Sequence, residues 1–196
     1  MKNFLWVTTG PSGAGKTTLL NRLMAEMPAC IFSVSATTRP QREAEMPGRD
    51  YFFVSESEFQ EMKERGEFIE WAKVHNNYYG TPKNFIQNKI REGYDVILDI
   101  DVQGGLQIKA LNLPEAVLVF IAPPSLKDLE KRLRERGTET EEVLQRRLNN
   151  SIWELKQIPE YEYLVINGQL DQAVLDLKSI INAEKLKTRN YPDLNF

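Results

Sequence analysis

The sequence predicts an α/β fold with a parallel sheet at its centre, interrupted by a small strand-rich insert. Three observations lead there. Short apolar runs alternate with helical patterns along most of the 196 residues, the order that generates βαβ units and a parallel core. Two of those runs, Val96 to Asp101 and Val117 to Ala122, are rich in β-branched apolar residues, as strands covered on both faces require. Between residues 31 and 81 the alternation gives way to several short strands, which read as an insert over one edge of the sheet.

Each element has its own signal. Phe4 to Thr9 is a short apolar strand followed by a glycine-rich turn. Leu19, Leu20, Leu23 and Met24 then recur at helical spacing within Thr17 to Met27. Ile31 to Thr37 alternates like a single strand, and residues 39–50, with Pro40, Pro47 and Gly48, read as a loop. Tyr51 to Val54 is a strand, and Ser55 with Glu58 forms a capping-box pattern for a helix ending at Gly66. Phe68 to Val74 and Tyr78 to Gly80 flank Asn76-Asn77 as a hairpin. Pro82 opens a helix that stops near Gly93. After Pro124, Leu126, Leu129 and Leu133 form one helical stripe. A long helix follows from Thr140 to Ile158, with Leu144, Leu148, Ile152 and Leu155 inward. Tyr163 to Ile166 is the last strand. Leu170 to Leu186 is the last helix, with Ala173, Val174, Leu177, Ile180 and Ile181 as its apolar face and a frayed tail after Lys187.

Composition excludes several classes. Lys plus Arg is 25 against 28 for Asp plus Glu, a net charge of −3, which argues against a nucleic-acid or polybasic membrane partner. A single cysteine, Cys30, and a single histidine, His75, rule out an internal disulfide and a Cys/His zinc site. Cys30 reads as a small buried residue and His75 as a loop residue by the Asn76-Asn77 turn. The longest apolar run, Ala116 to Ala122, is far short of the roughly 20 residues that span a bilayer. A reducing, cytoplasmic location is the expectation.

Gly10-Pro11-Ser12-Gly13-Ala14-Gly15-Lys16-Thr17 fits G-x-x-x-x-G-K-[ST] without a mismatch, after a strand and before a helix. Small residues let backbone N–H groups curl around a phosphate, and the helix N-terminus turns its partial positive charge on the same anion. Lys16 then reaches the β- and γ-phosphates, and the Thr17 hydroxyl binds Mg²⁺. Val96 to Asp99 fits the partner strand, with Asp99 positioning Mg²⁺ directly or through water, or else capping the next helix.

Further residues carry a resemblance. Ser35-Ala36-Thr37-Thr38-Arg39, Arg42, Tyr51, Phe68-Ile69-Glu70-Trp71, Asn77-Tyr78-Tyr79-Gly80-Thr81 and Leu98-Asp99-Ile100-Asp101-Val102-Gln103-Gly104 follow in that order. Together with the phosphate loop, this set resembles the guanylate kinase family over nearly the whole chain. The resemblance implies transfer of the γ-phosphoryl group of ATP to GMP, and to dGMP, with Mg²⁺. It implies a phosphate-loop core at residues 1–30, 82–124 and 159–196. A GMP-binding insert would occupy 31–81, and a helical lid with its adjoining helix 125–158.

The physical chemistry agrees with those roles. Arg39 and Arg42 can clamp a dianionic phosphate with forked guanidinium groups, and by resemblance Tyr51 and Tyr79 add hydroxyl donors. Glu70, by resemblance, accepts from guanine N1–H and the 2-amino group. Adenine offers neither, so a buried carboxylate discriminates. Ser35 and Thr81 serve the O6 side, and Asp101 takes the 2-amino group, its division of labour with Asp99 left open. Arg132 and Arg136 lie one helical turn apart, and with Arg147 they match the family's lid arginines, closing over the triphosphate as charge moves. Arg134 and Arg146 do not match. Asn167 touches the adenine by resemblance. The acceptor phosphate oxygen is already ionised, so no general base is required.

The chain departs from the family at two places. Gln41, Glu43, Ala44 and Glu45 surround Arg42 where a Pro-Arg-Pro-Gly-Glu type run is common. Glu43 there either weakens the clamp or points outward. Gly168 and Gln169 follow Asn167 where two aspartates are frequent. Two other readings compete: a non-enzymatic guanylate-kinase-like interaction domain, and a nucleoside monophosphate kinase of other base preference. Lys16, Thr17 and the lid arginines argue against the first. Glu70, Ser35 and Thr81 argue against the second.

Overall fold

The computed structural model describes residues 2–74, 76–135 and 140–191. Its centre is a five-stranded sheet, every pairing parallel. The strands are β1 (Leu5–Thr9), β2 (Cys30–Phe32), β7 (Asp95–Asp99), β8 (Ala116–Ala122) and β9 (Tyr163–Ile166), in the order β2-β7-β1-β8-β9. A smaller sheet holds β3 (Ser35–Thr37), β4 (Tyr51–Phe53), β5 (Phe68–Val74) and β6 (Asn77–Pro82), in the order β4-β3-β6-β5. The helices are α1 (Lys16–Glu26), α2 (Glu56–Glu64), α3 (Lys83–Arg91), α4 (Val102–Ala110), α5 (Leu126–Glu135), α6 (Glu141–Leu155) and α7 (Leu170–Lys185).

Side-chain alternation along β1 explains the layering. Trp6 points into a cluster with Leu19, Leu20 and Leu23 of α1 and Val174, Leu177 and Ile181 of α7. Leu5 and Val7 point the other way, into a cluster with Ile86 of α3 and Ile108 of α4. Both faces of the central strands are therefore dry, which is why Leu5 to Val7, Val96 to Leu98 and all of β8 are apolar, with polar residues only towards the strand ends. The small sheet has its own core, where the fully buried Phe59 of α2 stacks on Phe68 and Tyr78 at 4.5 and 5.3 Å.

Four expectations need correction. Ile31 to Thr37 is not one strand. Cys30–Phe32 pairs with β7 in the large sheet, and Ser35–Thr37 pairs with β4 and β6 in the small one. Ile31 and Phe32 thus belong to the parallel sheet, and the chain crosses between sheets at Ser33-Val34. Leu126 and Ile152 are exposed, because the α5–α6 contact is made by Leu129, Leu133, Leu144 and Leu148. The long helix ends at Leu155, and Ile158–Glu160 forms a separate 3₁₀ turn. The segment after Lys187 is tied down through Tyr191. The fully buried Glu184 accepts from the Tyr163 hydroxyl and from Lys187, and Asn190 donates to the Glu184 carbonyl at 2.7 Å. Cys30 is buried as expected, and burial pushes its thiol up to about 11. His75 lies outside the described residues.

Candidate active site

The site forms where β1 and β7 end, the edge of an open parallel sheet at which ligands bind. The two strands are neighbours in register, Thr8 opposite Asp99, so the loop after β1 and the carboxylate ending β7 meet without any long side chain. The loop is Gly10 to Thr17. Gly10 has φ +147°, and a Cβ there would stand 2.0 Å from the Ile121 carbonyl oxygen, so only glycine passes beneath β8. Lys16 Nζ donates to the Gly10 carbonyl at 2.8 Å and lies 3.8 Å from Asp99 Oδ1. The Thr17 hydroxyl donates to Asp99 Oδ2 at 3.3 Å. Burial raises the Asp99 carboxyl, while Lys16 and Thr17 oppose that shift. A hydroxyl and a carboxylate side by side form the hard oxygen donor set that Mg²⁺ takes alongside phosphate oxygens, so these residues fit the ion. No cluster of three or more His, Cys, Asp or Glu side chains suited to a metal exists among the described residues.

Two cavities flank the loop. On one side, about 420 Å³ is lined by Gly13, Gly15, Thr18, Arg132, Asn167 and Gly168. The buried Asn167 donates its amide to the Ala14 carbonyl at 2.8 Å. Arg132 donates to the Asn167 carbonyl at 2.9 Å and to the Ala14 carbonyl at 3.4 Å. Arg147 reaches the other end of the loop, with Nη1 3.4 Å from Ser12 Oγ. Pro11 lines the cradle of the loop itself. Arg134 bridges Glu130 and Glu141 and so fastens α5 to α6. Arg136 lies outside the described residues.

On the other side, about 510 Å³ is lined by Ser35, Tyr51, Glu70, Tyr79, Asp99 and Asp101 together with Lys16. The structure thus gathers six of the residues predicted for GMP, together with Lys16, around one space. Glu70 is only 6% exposed and accepts from the Thr81 hydroxyl, which lies 3.4 Å from Ser35 Oγ. Burial raises the Glu70 carboxyl to about 7, Thr81 opposes that rise, and Asp101 adds to it. Gly104 closes the floor, where a Cβ would stand 2.8 Å from Glu70 Oε2. Asp101 caps α4 by accepting from Gly104 N–H at 2.7 Å.

The two clamp arginines differ. Arg39 lies over the Tyr51 and Phe53 rings, 5.5 and 6.0 Å from their centroids, and donates to Glu45 at 2.6 Å. Arg42 is exposed on the loop, and neither arginine is among the residues lining the cavity. The Arg42 backbone N–H donates to Glu45 Oε2 at 2.9 Å. Glu45, not Glu43, is the acidic residue of this loop that engages the clamp. Sequence reasoning also missed Glu154, which lines the larger cavity from α6. Its signal was present, because Glu154 follows Arg147 by seven residues and so shares that helix face.

The chain matches the family model described as guanylate kinase over residues 2–184. It is 48% identical over 191 residues to a guanylate kinase of Thermotoga maritima, covering 97% of this chain and 92% of that one. With a guanylate kinase of Desulfitobacterium hafniense it shares 47% identity over 188 residues, covering 96% and 94%. The crystal structure of guanylate kinase from Anaplasma phagocytophilum superposes with a TM-score of 0.74 at 29% identity, over 95% of this chain and 88% of that one. A shikimate kinase from Bacteroides thetaiotaomicron, 16% identical, shares the fold with a TM-score of 0.50 over 91% of this chain and 98% of that one. The chain belongs to the guanylate kinase family.

Proposed function

We propose that this chain transfers the γ-phosphoryl group of ATP to GMP, giving ADP and GDP. One observation carries the reading. A phosphate loop stands between two cavities, and only one of them is floored by a buried carboxylate. ATP lies along the Gly13–Asn167 side with its phosphates in the loop, and GMP lies on the Glu70 side. Residues near 33–81 form the GMP-binding insert, α5 and α6 the lid region, and the parallel sheet the core. A cytoplasmic location fits the single unpaired cysteine.

The chain's groups divide the work by charge. Lys16 and the loop N–H groups hold the β- and γ-phosphates, and Arg132, Arg136 and Arg147 offset charge that spreads over the moving phosphoryl group. Arg39, Arg42, Tyr51 and Tyr79 hold the GMP phosphate in line with it. Glu70 accepts from guanine N1–H and the 2-amino group, with Ser35 and Thr81 at O6 and Asp101 beside the 2-amino group. Thr17 and Asp99 would hold Mg²⁺, which would supply positive charge to offset the charge that develops on the phosphates.

The test is a substrate panel. Purified protein with ATP and Mg²⁺ is given GMP, AMP, CMP or UMP at saturating concentration, and each nucleoside diphosphate is quantified. GDP should form, and the other three diphosphates far more slowly. Absence of GDP formation would overturn the reading. Equal rates for all four would remove the base-reading role.

A further inference from the structure

The larger cavity holds a carboxylate for which the reaction as described has no use. Glu154 projects from α6 into the space that also contains Lys16, Asp99, Asp101 and Glu70. The other three carboxylates are engaged. Asp99 accepts from Thr17 and faces Lys16. Asp101 caps α4, and Glu70 accepts from Thr81. Glu154 is half-buried and has no hydrogen-bond donor and no ion-pair partner among the described residues. Burial raises its carboxyl, Lys16 opposes that, and Asp101 adds to it.

Elementary chemistry narrows what it can accept from. A nucleoside monophosphate in this cavity presents three kinds of polar group. Its phosphate oxygens are acceptors and repel a carboxylate. Its base N–H groups fall to Glu70 under the reading above. Only the ribose hydroxyls remain as donors for a carboxylate that lines the same cavity as Lys16 and Asp101. We infer that Glu154 accepts a hydrogen bond from a ribose hydroxyl of the acceptor nucleotide and so sets the preference for that sugar.

This rests on GMP being the acceptor, and the two ideas fail separately. The experiment measures kcat/KM for GMP, 2′-deoxy-GMP and 3′-deoxy-GMP with the wild type, Glu154→Ala and Glu154→Gln, with thermal melts confirming that each variant is folded. The wild type should favour GMP over one deoxy analogue by about 10- to 100-fold, the range of a hydrogen bond to a charged acceptor. Glu154→Ala should lower GMP use to the level of that analogue, mainly through KM, and leave the analogue itself within about twofold. Glu154→Gln, which keeps a neutral acceptor, should fall between. The two analogues tell the 2′-hydroxyl from the 3′-hydroxyl. An equal loss for all three nucleotides overturns the inference, as does a wild type indifferent to both hydroxyls or a Glu154→Ala enzyme unchanged towards GMP. A wild type that does not phosphorylate GMP at all would instead overturn the proposed function.

Discussion

The phosphate loop and the strand-rich insert approach the same cavity with opposite means. The loop acts through its backbone. Its shape follows from glycine at Gly10, from the β1–β7 register that delivers Asp99, and from a helix that starts at Lys16. Any triphosphate with the right charge meets those groups equally well. The insert acts through side chains. Ser35, Tyr51, Glu70 and Tyr79 come from four different strands, and each owes its place to a small aromatic core around Phe59. Backbone cradles supply affinity for an anion common to all nucleotides, whereas a buried carboxylate supplies a choice among bases. The same division predicts which lesions act on turnover and which act on one substrate.

The largest effect belongs to the loop. On the proposed reaction, Lys16→Met removes a charge that faces the transferred group and should lower kcat by about 10²- to 10³-fold, the scale of losing one preorganised electrostatic contact. GMP binding, measured by calorimetry without ATP, should change by no more than a few-fold. A comparable loss of GMP affinity would mean that the two regions are not separate in function.

Next comes Glu70. Glu70→Gln keeps an acceptor for the Thr81 hydroxyl but loses the charge facing guanine, so kcat/KM for GMP should fall by about 10²-fold, as for hydrogen bonds to a charged group. The KM for ATP should not move. The pH dependence has a definite sign. The Glu70 carboxyl is raised to about 7 in the folded protein from an ordinary 4.5. Between those values the folded state holds a proton that the unfolded state has lost, so this group's contribution to stability falls as pH rises through the window. Guanine needs the ionised form, so kcat/KM for GMP should climb with pH up to about 7 and then level off. Glu70→Gln should abolish that climb. A wild-type profile flat from pH 5.5 to 8 would show that the carboxyl is already ionised.

What could be read in advance follows the same division. The phosphate loop and the central strands were legible because their signals are local: a glycine spacing, and apolar runs that only a doubly covered strand tolerates. The run from Ile31 to Thr37 misled because alternation describes a strand and not the sheet it joins. Only pairing with β7 on one side and β6 on the other divides it. Leu126 and Ile152 fit a helical stripe but fall at its edge, where the narrow α5–α6 contact ends. Nothing in the helical pattern of Leu170–Lys185 marks Glu184 as buried. It is buried because Tyr163, Lys187 and Arg189 supply donors from both sides in sequence. Glu70, Ser35 and Thr81 were legible only through resemblance, since nothing in a seven-residue strand announces a carboxylate buried against a hydroxyl 11 positions away.

The smallest effect tests where the insert's own charges balance. Glu45 holds Arg39 at 2.6 Å and the Arg42 backbone N–H at 2.9 Å, and both charged side chains are largely shielded, at 17% and 14% exposure. Its carboxyl is held below the ordinary range chiefly by the Arg39 hydrogen bond, then by the Arg42 N–H. If Arg39 binds the GMP phosphate as proposed, a carboxylate already on its guanidinium could stand in the way. The geometry favours the opposite. Glu45 engages Nη2 of Arg39 and the Pro40 carbonyl engages Nη1 at 2.7 Å, which leaves N–H donors of the planar group, lying across Tyr51 and Phe53, for a second anion. Glu45 therefore acts as a positioning residue that fixes the fork and ties the exposed loop around Arg42 to it. Glu45→Ala should raise the KM for GMP by about three- to tenfold, the scale of one charge-assisted contact at a partly solvated site. Both kcat and the KM for ATP should stay near wild type, and Glu45→Gln should recover part of the loss. A fall in the KM for GMP would instead identify Glu45 as a competitor for the clamp.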